Sequence, residues 1–155
     1  MTEEQMNVYK MRISQAGIAE MTTIMLEMET QWIRDAVVAY GEKNLDEFVR
    51  CVDKAQAVQV ELMNVMNLDN PIAMDVYSVF AYVNKQLIRA KIKRQPLEFE
   101  RLAAMLQKYH TSFAELVKTD QGGPVMQLSE KVYAGLTYGA GGLVESSTGG
   151  MDYTV

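Results

Sequence analysis

The sequence predicts an all-α fold, because helix breakers are scarce and apolar residues recur with helical spacing. Only three prolines occur in 155 residues, and eight of the ten glycines lie beyond residue 121. Between residues 18 and 118 the apolar residues repeat at steps of three and four, in segments separated by short turns. Helices joined by short turns run antiparallel. We therefore expect an antiparallel up-down four-helix bundle, with an extended N-terminal segment before it and a glycine-rich C-terminal tail after it.

The first helix is predicted over residues 18–40. Gly41 suits the position just after its end, because glycine adopts the left-handed conformation without a steric penalty. The residues of this helix that share one face are Ile18, Met21, Met25, Met28, Trp32 and Ala36.

The second helix is predicted over residues 44–66. Asn44 is a favourable N-cap, and Glu47 follows three residues later, as in a capping box. The apolar stripe of this helix contains one polar residue, Gln59. From Val58 to Met66 the helix is apolar on more than one side, so it needs cover from more than one neighbour.

The third and fourth helices are predicted over residues 71–93 and 96–118. Asn70 as N-cap and Pro71 at the first helical position give a strong start signal, and Pro96 opens the fourth helix. The large side chains that we expect in the core are Trp32, Phe48, Leu62, Phe80, Leu87, Leu106 and Phe113.

The chain divides into two predicted parts, a helical-bundle domain over residues 1–120 and a glycine-rich tail over residues 121–155 that docks on the bundle. The tail carries a short apolar stripe behind the Gly122–Gly123 hinge, formed by Val125, Leu128, Val132 and Leu136. A tethered segment needs little intrinsic affinity to shield an apolar surface. The alternative is a tail with no role in binding.

Composition excludes several classes of function. A net charge of −5 argues against a nucleic-acid partner, and the basic run KQLIRAKIKR (85–94) is interpreted as a solvated helix C-terminus. The single cysteine, Cys51, indicates a reducing compartment. The N-terminal segment has no apolar core of a secretory signal, and no apolar run is long enough to cross a bilayer. We therefore expect a cytoplasmic protein that does not insert into a membrane.

The sequence contains no set of residues that could form a catalytic, metal-binding or cofactor-binding site. His110 is the only histidine, so neither a di-iron bundle nor a zinc site has enough ligands. Cys51 has no histidine near it in sequence to act as a base. Twelve methionines fit core packing or an adaptable binding surface. The expectation is a protein that is not an enzyme.

Four weak motifs between residues 7 and 116 resemble one known family, the flagellar secretion chaperones of the FliS family. The second helix carries KAQAVQVELMNVMNLD (54–69), the third carries VFAYVNKQLIRA (79–90), and Phe113 stands where tryptophan is common in the family. The residues of the N-terminal segment and first helix that fall at matching spacings are Tyr9, Ile13, Ala16, Glu20, Met21, Trp32, Ile33 and Ala36.

The resemblance implies an export chaperone that binds the C-terminal segment of unpolymerised flagellin in the cytosol. It implies that helices of this client lie in apolar grooves of the bundle, that filaments do not form prematurely, and that the complex reaches the flagellar export gate. It also implies a role for the N-terminal segment. Tyr9 and Ile13 are expected to cover part of the groove and to move when the client binds.

The apolar excess on the second and third predicted helices locates the expected client groove. Its residues are Val58, Met63, Val65, Met66, Ile72 and Val79. Two alternatives remain open. One is a structural helical bundle whose exposed apolar faces make a homodimer or larger homo-oligomer; the other is a chaperone paralogue for another secreted client.

Overall fold

A computed structural model describes residues 1–66, 69 and 71–119, without the side chains of residues 18, 19, 71, 72, 116 and 119. Every regular element in this part of the chain is an α-helix, so the all-α prediction is confirmed. The predictions for the tail, residues 121–155, and for Asn70 lie outside the described residues. The helices are α1 (Glu3–Gln15), α2 (Ile18–Gly41), α3 (Leu45–Asn64), α4 (Pro71–Lys93) and α5 (Phe99–Thr119).

The N-terminal segment is helical, so the prediction of an extended segment was wrong. The cause is a capping box that the sequence analysis missed. The Gln5 backbone N–H donates to Thr2 Oγ1 at 3.2 Å, and the Thr2 backbone N–H donates to Gln5 Oε1 at 2.8 Å. Glu3 and Glu4 add negative charge to the first turn, where the helix dipole favours it.

The turn between α2 and α3 differs from the prediction in one respect. Asn44 caps α3 as expected, since its Oδ1 accepts from the Glu47 backbone N–H at 3.1 Å. Gly41, however, is the last residue of α2, and the left-handed conformation falls on Lys43, with φ of 60°. At its other end α3 stops at Asn64, two residues before the predicted limit.

Helix α4 begins at Pro71 and ends at Lys93, as predicted. Helix α5 begins at Phe99 instead of Pro96. Glu98 has φ of 52°, a value that helices exclude, so it precedes the helix and does not belong to its first turn.

Helix α2 lies at the centre of the contacts. It packs against α1, α3 and α5, while α3 also packs against α4. The α2–α3 hairpin is antiparallel: the rings of Tyr40 and Phe48 are 5.7 Å apart near the turn, and Glu29 meets Gln59 further along both helices.

The predicted core is confirmed, since all seven large side chains named from the sequence are at most 5% exposed. Phe48 also stacks on Phe99, with ring centroids 6.0 Å apart, and joins α3 to α5. The single stripe predicted for α2 was too narrow. Leu26 and Ile33 are also fully buried, because α2 has neighbours on several sides.

A buried polar pair joins α2 to α3 within this core. Glu29 and Gln59 are both fully buried, and the Gln59 amide nitrogen can donate to Glu29 Oε1 at 2.9 Å and Oε2 at 3.3 Å. Burial raises the pKa of the Glu29 carboxyl well above its ordinary value of 4.5. The protonated carboxyl can likewise donate to the amide oxygen, so the amide complements either charge state.

Replacing Glu29 with Gln should make the protein more stable at neutral and alkaline pH and should flatten its pH dependence. Because the folded-state pKa of Glu29 is raised, its stabilising contribution is complete below pH 4.5 and is lost as pH rises through the folded pKa. Urea unfolding across this pH range measures the effect. Glu61→Gln, at an exposed position of α3, is the control. Parallel stability curves for wild type and Glu29→Gln would contradict the assignment.

Truncating Leu106 to Ala should lower the free energy of unfolding by about 2–5 kcal/mol, because this fully buried side chain would leave a cavity. Denaturant unfolding gives the value. Met74→Ala, at a side chain that is 46% exposed, should change stability by about 0.5 kcal/mol or less. Equal effects of the two substitutions would show that the Leu106 side chain of α5 is not packed in the core.

Candidate protein-binding surface

The predicted groove residues fall on α3, on the two residues that follow it (Val65 and Met66) and on α4, which packs against α3. Val58, Met63 and Met66 are half-buried and pack against the core, so part of their apolar area already serves the fold. Val65 and Val79 are also half-buried. The side chain of Ile72 lies outside the described residues.

Two exposed apolar side chains close in sequence to the predicted groove residues were not selected by the site prediction. Val60 on α3 is 38% exposed, and Met74 on α4 is 46% exposed. The sequence contained the signal for Val60, since it belongs to the stretch of α3 that is apolar all round. Met74 had no such signal, because it lies off the face of α4 that carries the predicted core residues Phe80 and Leu87.

Helix α1 is attached to α2 through polar contacts. The Tyr9 hydroxyl donates to Glu27 Oε1 at 3.2 Å, and the Arg12 guanidinium binds both oxygens of Glu27, at 3.1 and 2.9 Å. At the other end of α1 the Met1 amine pairs with Asp35. No residue of α1 is fully buried. Helix α1 therefore runs antiparallel to α2, and its apolar contribution comes from the partly buried Met6, with Met1 just before the helix.

The contacts between Glu27 and Tyr9 shift the pKa values of these two residues in opposite directions. Partial burial alone would raise the pKa of Glu27, but the hydrogen bonds and charge of Arg12, with help from Tyr9, bring it below 4.5. The pKa of Tyr9 is raised, first by partial burial and then by the neighbouring Glu27 carboxylate. Glu27 is therefore ionised at neutral pH and holds α1 as an anion.

The predicted capping residues, Tyr9 and Ile13, are half-buried on the side of α1 that faces α2. They are not seated directly in the α3–α4 surface. The antiparallel hairpin places Glu29 beside Gln59, so Glu27, where Tyr9 is bound, lies at the level of Glu61. The C-terminal end of α1 is thus at the same end of the bundle as the predicted groove.

A second apolar surface, which the sequence analysis missed, lies between α2 and α5. It is a cleft of about 460 Å³ with an apolar floor. Arg34, Glu100 and Gln107 contribute polar groups to its lining. The apolar residues that line it are Ile33, Val37, Phe99, Ala103 and Ala104. The adjacent alanines of α5 were the available signal, because small side chains leave a gap between packed helices.

The two residues considered for catalysis or metal binding, Cys51 and His110, lie in surroundings typical of structural residues. Cys51 is fully buried, its Sγ lies 3.5 Å from Glu47 Oε1, and burial with the nearby carboxylate raises the pKa of its thiol to about 11. His110 Nδ1 lies 3.3 Å from Gln107 Nε2. Within residues 1–66, 69 and 71–119, no group of three or more acidic, histidine or cysteine side chains could hold a metal ion. In the same part of the chain no helix has the length and hydropathy of a membrane span.

The comparisons with known proteins agree with this architecture. No curated protein matches the chain. A family model described as flagellar protein FliS matches residues 1–120, the region that contains all five helices and the α3–α4 surface. The chain therefore belongs to the FliS family of flagellar export chaperones.

Proposed function

We propose that this protein binds the C-terminal segment of unpolymerised flagellin in the cytosol, prevents premature filament assembly and delivers the complex to the flagellar export gate. Family membership supports a flagellar export chaperone, with flagellin as the client. The observation that carries the finer proposal is the apolar side chains that α3 and α4 leave partly or fully accessible, with Val60 38% and Met74 46% exposed. In this proposal the protein is not an enzyme.

The groove would bind its client as an amphipathic helix. Such a helix inserts side chains at steps of three and four into an apolar channel, and burial of that area drives association. Met63 and Met66 suit this role, because flexible thioethers adapt to different partner side chains. Their half-buried positions leave part of each side chain free for the client.

The scaffold in this proposal is an up-down antiparallel bundle of α2, α3, α4 and α5, with α1 added outside it. Residues 1–120 form the chaperone domain, and residues 121–155 are a separate tail. The observed pairing of α2 with α3 and α5, and of α3 with α4, supports this arrangement.

Helix α1 acts in this proposal as a displaceable cap, with Tyr9 and Ile13 on its inner side. Its attachment at the C-terminal end supports the idea, since the Arg12–Glu27 ion pair there is half-exposed, and such pairs contribute only about 0–1 kcal/mol each. A tethered element with such weak contacts still competes with a client, because its effective concentration is high.

Met63→Gln should weaken binding of a flagellin C-terminal peptide about tenfold or more, because the substitution places a polar group in the groove. Glutamine is chosen because Met63 also packs against the core, where a charge would disturb the fold. Fluorescence anisotropy measures affinity, and a thermal melt checks the fold. Val38→Gln, at a position of α2 that is 59% exposed, is the matched control. Unchanged affinity of Met63→Gln would remove the α3–α4 surface from the client site.

The same titration separates the alternative functions. A monomer that gains helicity with the peptide supports a flagellin chaperone. A tight homodimer with no response to the peptide supports a self-associating structural bundle. Binding of a different export substrate in place of flagellin supports a paralogue with another client.

Glu27→Gln should release α1 and tighten binding of the same peptide several-fold, because Arg12 and Tyr9 lose their anionic partner. Hydrogen exchange of the α1 amides reports release. In the wild-type protein, the lowered folded-state pKa means that this stabilisation is present above pH 4.5 and is lost as pH falls through the folded pKa. Glu42→Gln, at an exposed position outside the contact, is the control. Faster exchange with unchanged affinity would show that α1 is not a cap.

A further inference from the structure

The solvent face of α4 carries an alternating stripe of cations and isoleucines, which we call the α4 stripe: Lys85, Ile88, Arg89 and Ile92. All four residues are exposed, and they lie at steps of three, one and three, so they share one side of the helix. Ile88 is 38% exposed and Ile92 is 77% exposed. The opposite side of α4 supplies the core residues Val83, Leu87 and Ala90.

The charge around this stripe is of one sign. Residues 85–94 hold five cations and no acid, in a chain whose net charge is −5. Lys91 is neutralised by Asp53 of α3, at 2.5 Å. In the described part of the chain no carboxylate lies within 4 Å of the charged groups of Lys85 and Arg89, and Arg89 only donates to Gln86 Oε1 at 3.3 Å.

Stabilisation of the helix terminus does not explain this pattern. The helix dipole favours cations within the last turn, which here contains Lys91 and Lys93. Lys85 and Arg89 lie further back. An exposed Ile92 gains nothing from the dipole. The interpretation of the basic run as a solvated helix end therefore accounts for Lys91 and Lys93 but leaves the α4 stripe unexplained.

We propose that the α4 stripe is a docking surface for an acidic amphipathic helix of another protein, in the C-terminal half of α4 and away from the client groove at the other end of that helix. Carboxylates on such a helix would pair with Lys85 and Arg89, and its apolar residues would cover Ile88 and Ile92. Complementary charge raises the association rate and selects the partner, while the isoleucines contribute the apolar burial. This inference does not depend on the identity of the client.

Two other occupants fit the structure less well. The chain has an acidic and apolar helix face of its own, formed by Glu4, Val8 and Met11 of α1, which are all exposed. Because α1 packs on α2 and α4 packs on α3, binding between copies would use two different surfaces and would form rings or open chains, not a symmetric dimer. An anionic membrane would repel the rest of a protein with net charge −5.

The test uses the full chain and a synthetic helical peptide with glutamate and leucine on one face and neutral residues elsewhere. Anisotropy should show binding that weakens with added salt. The double substitution Lys85→Glu and Arg89→Glu should weaken binding at least tenfold, and Ile92→Ser several-fold. The control, Lys10→Glu with Lys54→Glu, changes two exposed cations outside the stripe and should leave binding unchanged. Thermal melts of all variants should match the wild type, because every substituted side chain is exposed.

Four outcomes would overturn the proposal. Equal binding of a peptide with the same composition in scrambled order would show non-specific charge attraction. Equal loss of binding in the control variant would show the same. If the α4-stripe variants lose affinity for the flagellin peptide, the stripe belongs to the client site. If the stripe binds anionic vesicles or a second copy of the chain but not the peptide, its occupant is a lipid surface or the protein itself.

Discussion

The structure depends on a single constraint, that α2 packs against three other helices at once. A helix with neighbours on three sides is buried over a wide arc, and α2 buries the polar Glu29 and Thr30 as well as Leu26, Trp32, Ile33 and Ala36. The side that remains, with Glu27 and Asp35, holds α1 through ion pairs. Helix α2 thus contacts α3 and α5 through buried apolar side chains, whereas it contacts the N-terminal segment through ion pairs with Met1 and Met6 half-buried beside them.

This division of forces has a consequence for the apolar surface. Helix α3 packs against α2, and α4 packs against α3. In the described part of the chain no further helix covers the outer sides of α3 and α4. In the proposed function, the half-buried methionines and valines of this surface are where a client helix would complete the packing. The stability of the scaffold comes from a core that all four long helices share, since α2, α3, α4 and α5 each contribute large fully buried side chains.

Sequence reasoning predicted the four long helices and their seven main core residues, because period, prolines and the Asn44 cap are local signals. It missed α1, since the Thr2–Gln5 capping box was overlooked in a segment with little apolar patterning. It identified Gln59 as an anomaly but not Glu29, because the partner of a buried polar group lies on another helix and only the fold brings the two together. The cleft between α2 and α5 was missed for the same reason. The predicted client residues remain a prediction, since patterning shows apolar excess but not what covers it.

Cys51 gives this fold an internal reporter. Its thiol is fully buried against Glu47, and its raised pKa of about 11 leaves almost no thiolate at neutral pH, so a disulfide reagent reaches it only when α3 separates from the core. The rate of labelling of this one cysteine therefore measures how often the bundle opens. A partner bound on the outer surface of α3 would slow that opening. The labelling rate of Cys51, which the partner need not touch, would then fall when the partner binds.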